Sequence, residues 1–323
     1  MSDTSRDQDV LKSQCGGMGA GASLLPRLLG PQSPDVPMRE NFGPALHRAP
    51  VGLIAGAGRF PILFAQKARE VGLPVITVGV AGMADPVLES LSDQFTWLRR
   101  MSLGAIFRAF RRGDARQWTM AGKFHKHIIF QPRRMLQLVP DWRALRFFFL
   151  RRRSDNRDDS LLLGLIEEFR RQSMECVSAL DVCPELLVKE GLLTRRKPTA
   201  KEQVDVEFGW NLAKEMGRLD IGQSVMIRER NVLAVEAIEG TDKAILRAGE
   251  LCGRSGFVVV KVSKPNQDMR FDVPTVGQDT IESMNQAGAK VLAIEADRTI
   301  IIDEAETVAL ADRYGIAVLA LRR

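Results

Sequence analysis

One irregular stretch in the C-terminal third of the chain carries most of the residues that can act on a phosphate. Lys261, Lys264, Arg270 and Asp272 lie there without helical or strand periodicity. Long irregular segments between regular elements often carry function. Hydrolysis of a pyrophosphate needs cations for the charge that develops on phosphoryl oxygens, and a carboxylate that binds a metal or aligns water. These four residues supply that set, although a surface loop with scattered charge explains their types equally well.

An acidic turn precedes this stretch. Glu236, Glu239 and Asp242 surround a glycine between a predicted strand and a predicted helix. Carboxylate oxygens are the ligands that a hard cation such as Mg²⁺ prefers. We therefore predict that Asp272, Glu239 and Asp242 bind Mg²⁺ or another divalent cation. The alternative, which these residues alone favour, is that Thr241 or Asp242 is an ordinary helix N-cap.

A glycine loop near the start of the folded part is a second candidate for phosphate binding. Gly56 and Gly58 follow an apolar run at 51–55 and precede a helix that opens with Pro61. Such a loop places backbone N–H groups near an anion. Pro61 replaces the third glycine of the dinucleotide fingerprint, and no acid for a ribose hydroxyl follows in 78–81, which disfavours NAD and an oxidoreductase. Tight packing of the strand on the helix is the alternative explanation for both glycines.

Strands and helices alternate along the rest of the chain, which predicts an α/β protein with a Rossmann-like N-terminal domain and a second α/β domain. Strands are predicted at 51–55, 74–79, 117–121, 224–228, 232–237, 256–262, 289–294 and 299–303, and helices at 61–71, 103–112, 158–171, 201–216, 242–251, 279–286 and 304–313. The predicted organisation is a disordered leader (1–48), an N-terminal domain (49–183), a linker (184–200) and a C-terminal catalytic domain (201–323).

Composition is that of a globular protein, with 45% apolar and 27% charged residues among 323. The sequence has no run of about 20 apolar residues, which predicts no transmembrane helix. Its four cysteines form no CxxC pair and match no zinc pattern with the three histidines, which favours a reducing cytoplasm and disfavours zinc.

Positive charge is concentrated in residues 97–153, which carry a net charge of +13 within a chain of net charge +6. This excess favours an anionic partner. The run of apolar residues followed by arginines at 147–153 is typical of a helix at an anionic membrane surface. A core helix whose last arginines favour the helix dipole is equally consistent. A single tyrosine and the lack of a known motif disfavour nucleic acid.

Five segments in order resemble the UDP-2,3-diacylglucosamine pyrophosphatases of lipid A biosynthesis. They are Gly52–Gly58 with Pro61, Gly217–Gln223, Val235–Asp242, Lys261 with Lys264 and Pro265, and Arg270–Gly277. The chain departs from the family at 121–125, where it reads Ala-Gly-Lys-Phe-His, and at 156–159. These departures bear on acyl-chain preference and on N-terminal contacts, and not on the class of reaction.

The resemblance implies a lipid-linked UDP-sugar bound between the two domains, a divalent metal, and hydrolysis to UMP and 2,3-diacylglucosamine 1-phosphate. It assigns the family's functional aspartate to Asp272, and from the chemistry of their side chains we expect Lys261, Lys264 and Arg270 to stabilise the phosphate charge. The residues expected to contact substrate are Gly56, Gly58, Thr241 and Thr275. We expect a cytoplasmic enzyme attached peripherally to the inner membrane, and a homodimer. The alternative is a non-catalytic regulator that binds a nucleotide or a lipid, although such a module has no need of the acidic and basic set.

Overall fold

The computed structural model describes residues 49–99, 102–124, 158–265, 267–270 and 272–323. The predicted leader 1–48, the predicted membrane-surface segment 147–153 and residues 156 and 157 of the departure at 156–159 lie outside the described residues, as does His125.

The first half of the chain builds a parallel sheet. Its elements in order are β1 (Val51–Ala55), α1 (Phe60–Glu70), β2 (Val75–Val80), α2 (Leu88–Leu91), β3 (Gln94–Leu98), α3 (Leu103–Arg112), β4 (Gln117–Ala121), α4 (Asp158–Arg170) and β5 (Glu175–Cys176). Pro61 lies in the first turn of α1, where its missing N–H costs no helical hydrogen bond. Gly72 follows α1 with φ +70°, a conformation that favours glycine.

Within the described residues the strand order of this sheet is β3-β2-β1-β4-β5, and all neighbours are parallel. The order of strands reverses between β1 and β4. In open α/β sheets, ligands bind outside the carboxyl ends of the strands at such a point. Every residue of β1 is buried, with Phe64 of α1 in the apolar cluster on one side, and Phe110 and Phe169 in the cluster on the other.

The second half builds a mixed sheet. Its elements are β6 (Gly191–Leu192), α5 (Ala200–Arg218), β7 (Ser224–Arg228), β8 (Asn231–Val235), α6 (Thr241–Leu251), β9 (Val258–Lys261), β10 (Thr275–Val276), α7 (Gln278–Ala287), β11 (Val291–Glu295), β12 (Ile300–Ile301), α8 (Glu304–Arg313) and β13 (Ala317–Leu321).

In the part of the chain that the structure describes, the second sheet has the order β6-β13-β11-β9-β7-β8. Strands β9, β11 and β13 are parallel, whereas β7 is antiparallel to both β9 and β8. Trp210 of α5 packs in the apolar cluster on one face, and Ile245 of α6 and Met284 of α7 pack in the cluster on the other. Lys261 ends β9, so its side chain lies at the carboxyl edge of the parallel strands.

The predicted α/β class is confirmed, with one large sheet in each half of the chain and a further two-stranded sheet of β10 and β12 among the described residues. Strands β1, β4 and β7 and helices α3 and α8 have the predicted bounds. Strands β3 and β13 were not predicted, and β8 ends at Val235 and not at 237, so that Glu236 lies outside the strand. The predicted linker 184–200 contains a 3-10 helix at Pro184–Leu186 and strand β6. No described helix is both long and apolar enough to cross a membrane.

Candidate functional site

The loops after β1 and β4 are bonded to each other at the point where the strand order reverses. The backbone N–H of Ala57 donates to Lys123 O at 3.0 Å, and the N–H of Lys123 donates to Ala57 O at 2.7 Å. A Cβ at Gly56 would lie 2.8 Å from Lys123 O, so this close approach requires glycine. Gly58 has φ +94° and no heavy atom within 4 Å of the position of a Cβ, so its backbone conformation accounts for the glycine there. Phosphate binding by this loop stays a prediction.

Lys261 is the central residue of the part of the candidate site that the second sheet provides. Its side chain is buried, and its ammonium donates to Thr241 Oγ1 at 3.1 Å and to Thr275 O at 2.9 Å. The structure therefore brings together three of the predicted site residues, Lys261, Thr241 and Thr275. The backbone carbonyl of Thr275 makes this contact, while its hydroxyl donates to Val273 O at 3.0 Å.

The charges around Lys261 come from both halves of the chain. Burial lowers the pKa of Lys261, and the nearby carboxylates of Glu236, Asp242 and Asp272 oppose that shift. Lys123, from the loop after β4, lies close enough to lower the same pKa further. The carboxyl ends of strands in the two sheets therefore contribute to one polar site. An anion that accepts hydrogen bonds from both lysines would relieve the repulsion between them.

The stretch between β9 and β10 also contacts the first half of the chain. The hydroxyl of Ser178 donates to Met269 O at 3.2 Å. Burial raises the pKa of the Cys176 thiol to about 12, and nearby Arg270 acts in the opposite direction. Asp272 lies in this stretch, and its carboxylate accepts no hydrogen bond from the described residues. The same carboxylate lies near enough to the ammonium of Lys261 to raise the pKa of that lysine.

The acidic turn does not cap helix α6 with a side chain. The N-cap is Gly240 at φ +87°, and Thr241 and Asp242 are the first residues of the helix. The N-cap alternative for Thr241 or Asp242 is therefore wrong, because both side chains are engaged elsewhere. The Thr241 hydroxyl donates to Glu236 Oε1 at 2.9 Å, and Asp242 Oδ1 accepts from Thr280 Oγ1 at 3.2 Å.

The three predicted metal ligands do not form one set. Glu239 Oε1 accepts from Arg247 Nη2 at 2.7 Å, in an ion pair at the surface. Asp242 and Asp272 both lie near Lys261, whose positive charge opposes a cation at the same place. Among the described residues no group of three His, Cys, Asp or Glu is arranged to hold a metal ion. The described residues thus do not supply the predicted three-carboxylate site, and metal dependence stays a prediction.

Two of the predicted phosphate-binding cations make ion pairs of their own. Lys264 Nζ lies 2.6 Å from Asp220 Oδ1, in the loop after α5. Arg270 binds Asp268 in a bidentate pair, with Nε at 2.9 Å from Oδ1 and Nη2 at 2.5 Å from Oδ2. The hydrogen bond to Asp268 raises the pKa of Arg270. To bind a phosphate, Lys264 would have to break or share its ion pair with Asp220, and Arg270 its ion pair with Asp268.

The start of this stretch is anchored by a partly buried ion pair that the sequence did not single out. The ammonium of Lys214 donates to both carboxylate oxygens of Glu295, at 2.8 and 2.7 Å, and to Ser263 O at 3.1 Å. The N–H of Ser263 donates to Glu295 Oε2 at 2.8 Å. This network fixes the backbone two residues after Lys261.

Two site residues were missed from the sequence. Lys123 lies two residues after a predicted strand, and a cation near the carboxyl end of a parallel strand was the signal available. Glu236 was noted in the acidic turn, but only Glu239 and Asp242, which flank the turn, were given a role. In the structure Glu236 is buried beside Lys261.

Comparison with known proteins gives three matches to this chain. The family model of the LpxI N-terminal domain matches residues 50–186, and that of the LpxI C-terminal domain matches residues 189–319. A curated relative, "UDP-2,3-diacylglucosamine pyrophosphatase LpxI" of Caulobacter vibrioides, is 32% identical over 279 residues. That alignment covers 84% of this chain and 97% of the relative.

Proposed function

Because the chain belongs to the LpxI family, we propose that it hydrolyses the pyrophosphate of UDP-2,3-diacylglucosamine in lipid A synthesis. The products are UMP and 2,3-diacylglucosamine 1-phosphate. The observation that carries the proposal is the 32% identity to a pyrophosphatase of that name along 97% of its length. A match of that extent includes both domains, and hence the residues from both that meet at Lys261.

The reaction requires water to attack one phosphorus of the pyrophosphate and the bridging P–O bond to break. Negative charge then increases on the phosphoryl oxygens and on the leaving phosphate. Lys261 stabilises that charge in this proposal, since a buried ammonium acts more strongly on a phosphate than one in water. Lys123 acts from the loop after β4 in the N-terminal domain, where its exposed side chain can reach the same anion.

Asp272 is the proposed catalytic carboxylate. It would orient the attacking water and accept its proton, which leaves a phosphomonoester on each side of the broken bond. Its position supports this role, since it lies near Lys261 and accepts no hydrogen bond from the described residues. Lys264 and Arg270 remain proposed phosphate contacts that exchange or share their partners Asp220 and Asp268.

Dependence on Mg²⁺ or another divalent cation is part of the proposal, with Asp272, Glu239 and Asp242 as the predicted ligands. The resemblance of the motifs supports it. The described residues do not provide these three carboxylates as one set, so no step is derived through a metal.

The place of action follows from the substrate. A diacylated nucleotide sugar resides in a membrane, so we propose that the chain works in the cytoplasm at the surface of the inner membrane. The net charge of +13 in residues 97–153 supports binding to anionic lipid. A homodimer stays a prediction, and sedimentation of the purified protein tests it.

The proposal is tested by incubating purified protein with UDP-2,3-diacylglucosamine and measuring UMP by chromatography. UDP-N-acetylglucosamine, which has a short acetyl group at position 2 and a free hydroxyl at position 3, is the matched control substrate. We expect UMP from the lipid substrate and at least about tenfold less from the control. Tight binding of the lipid substrate without UMP, under all divalent-cation conditions, would instead support the non-catalytic regulator.

A further inference from the structure

The hydrogen bonds around Lys261 have a fixed direction. An ammonium only donates, and an ionised carboxylate only accepts. Thr241 Oγ1 accepts from Lys261 Nζ at 3.1 Å, so its single proton is directed to Glu236 Oε1 at 2.9 Å. Lys261 places a second N–H on Thr275 O at 2.9 Å. Its third N–H has no acceptor among the described residues and is the one available to a ligand.

Glu236 lies at the far end of this chain of hydrogen bonds, and its backbone is closely packed. Its N–H donates to Ser224 O at 2.9 Å, and a Cβ at Gly222 would lie only 2.1 Å from Glu236 O. The residue is 9% exposed, and Oε2 is buried without a hydrogen-bond partner among the described residues. A carboxylate oxygen in that state is unfavourable, so a purely structural role would be served better by a neutral side chain.

The charge of Lys261 supplies a reason for the buried carboxylate. Burial lowers the pKa of Lys261, and Glu236 is the strongest opposing influence, ahead of Asp242 and Asp272. Lys123 acts in the same direction as burial. Glu236 also holds the hydroxyl of Thr241 so that its oxygen faces the ammonium. Both effects act on Lys261 and neither requires Glu236 to contact a ligand.

We propose that Glu236 and Thr241 are positioning residues for Lys261, which they orient so that its free N–H binds a phosphate oxygen of a nucleoside diphosphate. The inference rests on the proposed function, since it concerns the pyrophosphate of the same substrate. In this proposal Glu236 and Thr241 affect the ligand only through Lys261. The Thr241 hydroxyl binds Lys261 and Glu236 and does not contact the substrate.

The test is the affinity for UDP, measured by calorimetry on the full chain. We expect Glu236→Gln and Thr241→Val each to weaken UDP binding by about tenfold, the scale for one charge-assisted hydrogen bond. Thr241→Ser keeps the hydroxyl and should recover most of that loss. In a Lys261→Met background, Glu236→Gln should change the affinity by less than about twofold, because its effect passes through Lys261. Glu250→Gln, which changes an exposed residue on the same helix as Thr241, is the control variant.

The sign of the result discriminates between two physical pictures. If Glu236 merely repelled the anion, Glu236→Gln would tighten UDP binding, and that outcome would overturn the proposal. Unchanged affinity, a loss that persists in the Lys261→Met background, or a wild-type chain that fails to bind UDP would overturn it as well. Should this pattern of UDP affinities hold while the lipid substrate yields no UMP, the proposed function fails and the positioning role stands.

Discussion

Removal of the Glu295 carboxylate should destabilise the second domain strongly. Its side chain is 8% exposed and accepts three hydrogen bonds, two from Lys214 and one from the N–H of Ser263. In Glu295→Ala the ammonium of Lys214 loses its counter-charge and the N–H of Ser263 loses its acceptor. Breaking a buried ion pair on one side costs about 3–5 kcal/mol. Lys214 is 27% exposed and keeps Ser263 O, so we place the loss near the lower limit, at about 3 kcal/mol.

The free energy of unfolding is measured by urea denaturation, followed by circular dichroism, on Glu295→Ala and on a matched surface variant. Glu215→Ala breaks the ion pair of Glu215 with Arg218 on the same helix as Lys214, where the two side chains are 63% and 51% exposed. Exposed pairs contribute about 0–1 kcal/mol, so the control should remain close to the wild type. If Glu295→Ala lost no more than Glu215→Ala, the Glu295 network would not anchor the stretch that carries Asp272, and the reasoning would be refuted.

Four further predictions concern chemistry, pH, metal and membranes. Asp272→Ala should lower kcat by at least about 10²-fold while the fold and substrate binding persist, since the carboxylate acts on the transition state; wild-type turnover, or loss through unfolding, would contradict this. Burial raises the pKa of Asp181 to about 6 from 3.8, so the folded state binds more protons between these values and loses stability as pH rises through them. Asp181→Asn keeps an acceptor for the N–H of Ser178. After allowance for a half-exposed group, this variant should be about 1 kcal/mol more stable than the wild type at pH 8 and no more stable at pH 4. Equal gains in the free energy of unfolding at both pH values, measured by urea denaturation, would be inconsistent with this. Chelation of divalent cations should abolish UMP release and Mg²⁺ should restore it, whereas full activity after thorough chelation would exclude metal dependence. Binding to anionic vesicles should exceed binding to neutral ones at low salt and weaken as salt is added, whereas equal partitioning at low salt would contradict the role of the basic segment.

Elements with a strong local pattern were predicted well from the sequence. The continuous apolar run of β1 and the helix start at Pro61 are local signals, and they require no knowledge of the remaining chain. Strand β3 carries Phe95 and Trp97 at alternate positions, which is a local signal of a half-buried strand that the sequence prediction missed. Strand β13 is a short apolar run at the end of the chain, and its pairing with β11 gives it its place in the sheet.

The site could be predicted only in part, because its contacts depend on the register of the second sheet and on the proximity of residues from the two domains. The motifs identified Lys261, Thr241 and Asp272 as site residues. The proximity of Glu236 to Lys261 requires the ladder in which Val225 pairs with both Val235 and Val260, and no local pattern specifies that ladder. Lys123 lies in the loop after β4 of the other sheet, so only the folded chain brings it near Lys261.

The central claim is that this chain breaks the pyrophosphate of a lipid-linked UDP-sugar. The most direct measurement is ³¹P NMR of UDP-2,3-diacylglucosamine incubated with an excess of the purified wild-type chain and Mg²⁺, with Asp272→Ala in parallel. We predict that the two pyrophosphate resonances disappear with the wild type and that two phosphomonoester resonances, from UMP and 2,3-diacylglucosamine 1-phosphate, replace them in equal amounts. Pyrophosphate resonances that persist with the folded wild-type chain, although it binds the substrate, would contradict the claim.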